Sequence, residues 1–386
     1  MASPENVILV HEISKLKTKE ELWNPYEWYR LMRDNHPVHY DEEQDVWNVF
    51  LYDDVNRVLS DYRLFSSRRE RRQFSIPPLE TRININSTDP PEHRNVRSIV
   101  SKAFTPRSLE QWKPRIQAIA DELVQHIEKC SEVNIVEQFA APLPVTVISD
   151  LLGIPTTDRK KMKEWSDILF MPYSKEKFND LDAEKGIALH EFKAYLLPIV
   201  QEKRYHLTDE EIVTFSLGLL AAGNETTTNL IINSFYCFLV DSPGIYEELR
   251  KEPNLILKAI EEVLRYRFPV TLARRITEDT NIFGPFMKKN QMIVAWVSAA
   301  NLDEKKFSQA SQFNVHRTGN EKHLTFGKGP HFCLGAPLAR LEAEIALTTF
   351  INAFEKIELS PSFCLEKCIL ENEQTLKYLP IRLKAK

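Results

Sequence analysis

Phe326-Gly327-Lys328-Gly329-Pro330-His331-Phe332-Cys333-Leu334-Gly335 is the most specific stretch of the chain, and the rest is best read outward from it. The chain holds ten glycines, and three of them fall in this one decapeptide. Gly327 and Gly329 open backbone angles closed to other residues. Gly335 removes a side chain where a flat, bulky group would need to approach. A helix is expected to start near Leu334, with Leu338, Leu341 and Ile345 on one face at helical spacing. Cys333 then stands at a helix N-terminus, where free N–H groups and the positive helix end stabilise a thiolate. Phe326 would shield the sulfur from water. A shielded, hydrogen-bonded thiolate is what an iron porphyrin needs from its protein ligand. A lone cysteine in a glycine-rich turn would be ordinary core; the whole pattern is what singles this one out.

The other cysteines are Cys130, Cys237, Cys364 and Cys368. An odd, scattered set of five argues against a disulfide framework and fits a reducing compartment. Cys364 and Cys368 form a Cys-x3-Cys pair with no partner pair at zinc spacing, so a structural role is expected for it. Net charge is −5 and the pI about 6.1. The densest basic run, Arg68-Arg69-Glu70-Arg71-Arg72, is short enough to be a solvated loop, so no nucleic-acid partner is expected. The N-terminal residues show no apolar signal segment. The nearest approach to a membrane span, residues 213–240, is broken by a polar centre that lipid would not tolerate. A cytoplasmic protein is expected.

No repeat, low-complexity tract or Gly/Ser linker divides the 386 residues, and a single domain over 1–386 is expected. Helices are expected over 25–35, 91–104, 109–130, 143–152, 157–170, 183–203 and 255–267. A hairpin is expected with strands 38–40 and 46–51, and short strands at 281–283, 292–297 and 378–383. The longest helix should run from the capping box Thr208-x-x-Glu211 to Val240, ahead of Asp241-Ser242-Pro243. At 1.5 Å rise per residue it is about 45–50 Å long, enough to cross the molecule. The fold class is mainly α with a minor β part.

Inside that long helix lies Ala222-Gly223-Asn224-Glu225-Thr226-Thr227-Thr228-Asn229. Glycine there costs roughly 1 kcal/mol relative to alanine, and buried Glu and Thr add to it unless satisfied. A packed kink would explain the segment; so would a local chemical role. Glu262 and Arg265 lie at i, i+3 on the helix expected over 255–267, a spacing that alone is common on solvated faces.

Taken together, these motifs resemble the cytochrome P-450 family. The cysteine loop matches its haem-binding signature, Phe-x-x-Gly-x-His/Arg-x-Cys-x-Gly, at every fixed position, and Arg340 and Glu342 fit the helix that follows it. The short chain and the run from Ala222 to Asn229 look most like compact archaeal members. The resemblance implies that family's fold over nearly the whole chain, with the long helix over haem b (iron protoporphyrin IX) and Cys333 as the iron ligand. By the same resemblance Gly223 leaves room for dioxygen, Thr226 hydrogen-bonds it, and Glu225 feeds protons inward, a relay suited to a hydroxyl beside a carboxylate. Glu262, Arg265 and Arg317 would form a buried structural ion network. His93, Arg97, Arg274 and His331 would hold the haem propionates, Arg275 being a rival to Arg274; Phe326, Gly327 and Gly335 would shape the loop around the cofactor.

The resemblance places substrate contacts at Ile83, Ile85, Leu169, Phe170, Met171, Leu219, Ala222, Val270, Leu272 and Leu376. Any one of these reads equally as core; together they imply a lipophilic substrate such as a fatty acid, terpenoid or steroid. With no flavin or nicotinamide domain in evidence, electrons from NAD(P)H would arrive through a ferredoxin or flavodoxin and its reductase, docking near Lys102, Arg107, Lys322 and Lys328. Two rivals to an O2-dependent monooxygenase stand beside this reading: a peroxide-driven peroxygenase, and a non-catalytic haem-thiolate sensor. The pair Glu225-Thr226 favours the O2 route. Residues 203–208 make a shorter link before the long helix than the family usually has.

Overall fold

The computed structural model of the chain describes residue 13 and residues 15–68, 85–171, 178–201, 209–368 and 375–385. The helices are α1 Lys19–Trp23, α2 Tyr26–Asn35, α3 Tyr52–Ser60, α4 Glu92–Val100, α5 Pro106–Ile127, α6 Pro142–Leu152 and α7 Arg159–Phe170, followed by α8 Phe178–Gln201 and α9 Asp209–Tyr236. After them come α10 Ile245–Lys251, α11 Ile256–Tyr266, α12 Val297–Ala300, α13 Ala336–Ala353 and α14 Leu365–Cys368. The strands are β1 Val38–Asp41, β2 Val46–Val49, β3 Phe65–Ser66, β4 Glu132–Asn134, β5 Thr271–Ile276, β6 Met292–Trp296, β7 Phe354–Leu359 and β8 Pro380–Ala385. Helix dominates and strand is minor, as the sequence implies.

Local chemistry explains several boundaries. Thr18 and Glu21 form a reciprocal capping box at α1. Thr105 caps α5 ahead of Pro106, whose missing N–H is harmless at that position. Helix α9 spans 28 residues, about 42 Å, and passes into one wider turn at Cys237–Asp241. Thr208, the expected cap, lies outside the described residues. Phe235, Leu230, Ile231 and Ile232 are all within 1% of full burial, so this end of α9 is buried on every side and runs through the core. It packs against α6, α8, α11 and α13.

Five strands form one sheet in the order β1-β2-β6-β5-β3, and three form another in the order β4-β8-β7. β2 and β6 are parallel, which places residues from opposite ends of the chain side by side. The strand expected at 281–283 is instead a turn, with one bridge between Thr280 and Met287. Gly284, at φ 97°, and Pro285 explain why pairing stops there. Strands β3, β4, β5 and β7 and helices α3 and α10 were not expected from the sequence. β5 hides because its Thr-Leu-Ala-Arg-Arg-Ile carries two cations where a strand is usually apolar.

Candidate active site

The cysteine loop is closed by its own backbone. Gly327 N–H donates to the Leu324 carbonyl at 2.7 Å, Phe332 to Gly329 at 3.1 Å, and Cys333 to Phe326 at 2.7 Å. Gly327 and Gly329 adopt φ 72° and 68°, the left-handed angles expected of them. A Cβ on Gly329 would stand 3.0 Å from the Leu59 carbonyl oxygen and the Ser60 Cα, so the loop lies backbone to backbone on the end of α3. A Cβ on Gly335 would meet Cys333 Sγ at 3.9 Å. Helix α13 begins at Ala336, slightly later than expected, and the N–H groups of Gly335 and Ala336 donate to the sulfur. Burial nevertheless pushes the Cys333 thiol up, and those donors with the charges of Arg97 and Arg340 only partly offset it. A cation bound at the sulfur would act in the same sense as these donors and favour the thiolate.

Helix α4 brings His93 and Arg97 to this loop. Arg97 Nη2 donates to the Phe332 carbonyl at 2.6 Å. The His93 and His331 rings lie 4.2 Å apart, centroid to centroid. His93 is buried, and burial together with the charges of His331 and Arg97 pushes its pKa down to about 4. The Nε2 atoms of both histidines are buried without a hydrogen-bond partner, Asp89 Oδ1 standing 3.9 Å from that of His331. Such orphaned groups cost about 1–3 kcal/mol each, which an anionic group between them would relieve. Asp89 itself accepts from Ser66 Oγ and the Ser67 N–H. On β5, alternation puts the two arginines on opposite faces. Leu272 Cδ1 faces Gly327 of the cysteine loop, and Arg274, two residues on, shares that face, whereas Arg275 points to the other. These residues fit a flat cofactor that carries carboxylates.

In α9, Ala222 and Thr226 remain exposed although Asn224, Thr227 and Thr228 around them are buried. One face of the helix therefore borders open space in mid-chain. Thr226 Oγ1 donates to the Ala222 carbonyl, which leaves its oxygen as an acceptor. Glu225 is half-buried. Gly223 behaves differently from expectation: the place of its Cβ is taken by Ile148 Cδ1 of α6, 2.9 Å away, so this glycine permits close helix packing.

Behind the loop, Arg265 clasps Glu262 with Nε at 2.9 Å and Nη2 at 2.7 Å, both side chains fully buried. Arg317 Nε and the Asn314 N–H add 3.0 Å bonds to the same carboxylate. The guanidinium of Arg265 also reaches the carbonyls of Asn301, Ala310 and Gln312. This is the ion network the sequence suggests, with loop carbonyls as added partners. A second one was missed. Glu261 accepts from Arg340 at 2.5 and 2.9 Å and from His323 Nε2 at 3.2 Å. Against the effect of burial, these donors pull the Glu261 carboxyl down to about 2. Arg340 also lies over the Phe326 ring, 4.5 Å from its centroid, so Phe326 packs on a cation. Nothing local in the sequence separates Glu261 from Glu262.

The residues expected to contact substrate are partly visible. Leu169 and Leu376 are buried in the main core, and Ile85, Leu219, Val270 and Leu272 are half-buried. Met171 is 48% exposed. Ile83, the link 203–208 and the side chains of Phe170 and Lys102 lie outside the described residues. Arg107, Lys322 and Lys328 are exposed. Among the described residues no helix is long and apolar enough to cross a membrane, and all five cysteines are free.

Comparison with known proteins places this geometry in a family. The family model of Cytochrome P450 matches residues 1–167 and 131–367. Cytochrome P450(MEG) of Priestia megaterium is 45% identical, over 98% of this chain and 99% of that protein. Cytochrome P450 119 of Sulfolobus acidocaldarius is 35% identical over 93% of this chain and 99% of its own length, so this bacterial relative is nearer than this archaeal one, contrary to the expectation from the short chain and the run from Ala222 to Asn229. The crystal structure of CYP109E1 from Bacillus megaterium in complex with testosterone superposes with a TM-score of 0.85 at 40% identity, covering 95% of this chain and 99% of that one. The cysteine loop, the long central helix and full-length likeness to named members together establish that this chain belongs to the cytochrome P450 family of haem b monooxygenases.

Proposed function

We propose that Cys333 is the axial ligand to the haem iron, that His93, Arg97, Arg274 and His331 receive the propionates, and that the whole chain acts as one catalytic domain in the cytoplasm. The observation that carries the reading is the convergence at one loop of a half-buried sulfur held by two N–H groups and two buried imidazole nitrogens without partners. When bound, the haem supplies the redox chemistry that activates dioxygen. The chain's own residues do the rest. Gly335 and Ala336 donate to the sulfur and limit its basicity. Phe326, braced by Arg340, covers the loop against water. Thr226 offers an acceptor oxygen on the open face of α9, and the half-buried Glu225 beside it can exchange protons with solvent.

The substrate is a lipophilic small molecule, one oxygen atom of O2 entering it. Support comes from the apolar character of Ile85, Leu169, Leu219, Val270, Leu272 and Leu376. It comes also from similar proteins solved with testosterone, with corticosterone, and with an acyl carrier protein bearing hexadec-9Z-enoic acid. Electrons come from NAD(P)H through a ferredoxin or flavodoxin and its reductase, docking on the exposed cations Arg107, Lys322 and Lys328. The test is the absorbance difference of the dithionite-reduced protein with and without carbon monoxide. A strongly red-shifted Soret band that disappears in Cys333→Ala is expected; a band typical of imidazole ligation would defeat the assignment. Turnover of a steroid or fatty acid with reductase partners, and not with peroxide alone, separates the monooxygenase from a peroxygenase or a sensor.

A further inference from the structure

Cys364 precedes α14 and Cys368 ends it, four residues apart on a single turn. Both thiols are free. Cys368 is 1% exposed and packs into the main core, which meets the structural role expected of the pair. Cys364 is only half-buried, so solvent reaches it. The Cys368 sulfur is turned toward its neighbour, for it accepts the Cys364 N–H. The turn itself is pinned along its length. Lys367 N–H donates to the Cys364 carbonyl at 3.1 Å, Lys377 N–H to the Cys368 carbonyl at 2.8 Å, and Lys19 Nζ to the Glu366 carbonyl at 3.2 Å. Burial pushes the Cys368 thiol up, and the Cys364 N–H and the charge of Lys377 pull the other way.

Distance decides what such a pair can take. Residues four apart on a helical turn carry Cβ atoms about 5–6 Å apart. A disulfide needs about 3.5–4.5 Å, so closing one would unwind the pinned turn. Two metal–sulfur bonds of about 2.3 Å, the length zinc makes, span up to about 4.6 Å between sulfurs and leave the turn intact. Zinc itself asks for four ligands, and among the described residues no group of three or more His, Cys, Asp or Glu that could hold a metal is present. Thiolates select soft ions, and Cu(I) binds between two opposed sulfurs. We propose that Cys364 and Cys368 form a binding site for one soft monovalent cation of the Cu(I) class, each sulfur releasing its proton to solvent as the ion binds. The resulting bis-thiolate complex carries a net negative charge, which the Lys377 cation offsets.

The experiment uses the haem-loaded full chain, with Cys333 engaged by iron, mixed anaerobically with an equivalent of Cu(I) and an excess of the competing chelator bathocuproine disulfonate. Gel filtration and metal analysis of the protein fraction then give copper per haem iron. A ratio of about one is expected for wild type and for Cys130→Ser, which removes another half-buried thiol. Cys364→Ser and Cys368→Ser are each expected to lose the copper and keep the carbon monoxide band; if the buried Cys368→Ser change prevents folding, Cys364→Ser decides alone. A rise in Tm with copper, present in wild type and absent from Cys364→Ser, is expected alongside. Copper missing from wild type, or retained in Cys364→Ser, overturns the proposal. So does a disulfide: trypsin cuts after Lys367, between the two cysteines. Peptides that stay joined after the metal-free chain meets oxidised glutathione would show that the turn closes without an ion. None of these outcomes touches the assignment of Cys333, which the carbon monoxide band tests separately.

Discussion

Replacing Glu262 by glutamine keeps the shape of the side chain and removes one charge from a fully buried site. The carboxylate accepts four hydrogen bonds: two from Arg265 and one each from Arg317 and the Asn314 N–H. Glutamine has one acceptor oxygen, so its NH2 must face a guanidinium N–H, donor against donor. The two arginines keep their loop carbonyls but lose the anion that balances them. Breaking a buried pair in this way costs about 3–5 kcal/mol. With an unfolding entropy of about 2.1 cal/mol/K per residue over the 386-residue chain melting as one unit, the expected fall in Tm is about 4–6 °C. Thermal melts of Glu262→Gln, followed by far-ultraviolet circular dichroism and by Soret absorbance, measure it. Glu27 and Arg30 provide the control, with the same i, i+3 spacing but side chains 87% and 63% exposed. Glu27→Gln should leave Tm within about 1 °C, since exposed pairs contribute little. A Glu262→Gln protein that melts within about 1 °C of wild type would refute the claim that this network stabilises the fold.

Gly329→Ala meets both a left-handed φ and a backbone 3.0 Å away, so the loop must lift from α3; the yield of the red-shifted carbon monoxide band should fall several-fold, whereas Gly335→Ala, with 3.9 Å of clearance, should do less damage to the fold. Glu342 is buried, its Oε2 lacks a hydrogen-bond partner, and burial pushes its carboxyl well above the usual range. A raised folded pKa gives stability that is full below pH 4.5 and is lost as pH rises, so Glu342→Gln should gain on wild type by up to about 1.4 kcal/mol per pH unit from pH 5 to 7; urea unfolding at the two values checks it, and a constant difference would contradict it. Glu261 has the opposite sign: its pKa is depressed to about 2, so its contribution is complete above pH 4.5 and disappears as pH falls toward 2. Glu261→Gln should therefore be less stable than wild type at pH 6 and approach it near pH 2.5, as read by melting temperature.

How much of this is legible in the sequence depends on whether the chemistry is local. The cysteine loop is legible because left-handed angles and a close backbone approach leave glycine as the natural choice at 327 and 329. The long helix is legible because its apolar pattern runs unbroken around a polar centre. Glu262-x-x-Arg265 is legible only in that company, for Glu27-x-x-Arg30 has the same letters and is a solvated pair. Pairings that close over long separations are not legible at all. His323 and Arg340 reach Glu261 from residues 62 and 79 positions away, and Thr375 reaches Asn229 from 146. Gly223 misleads for a related reason, since the neighbour that needs its missing side chain, Ile148, comes from another helix.

The distribution of constraints suggests why one fold can serve many substrates. The cysteine loop is clamped from three directions: by the backbone of α3 at Gly329, by Arg97 of α4 on the Phe332 carbonyl, and by Glu261 of α11 through Arg340, which lies over the Phe326 ring. Each clamp fails sharply when altered, through a steric collision or an unbalanced buried charge. The lining residues obey another rule. Ile85, Leu219, Val270 and Leu272 are half-buried apolar side chains, and volume-conserving exchanges among such residues usually cost less than about 1.5 kcal/mol. The proposed cofactor site is therefore rigid in sequence terms, whereas the proposed substrate site is free to change.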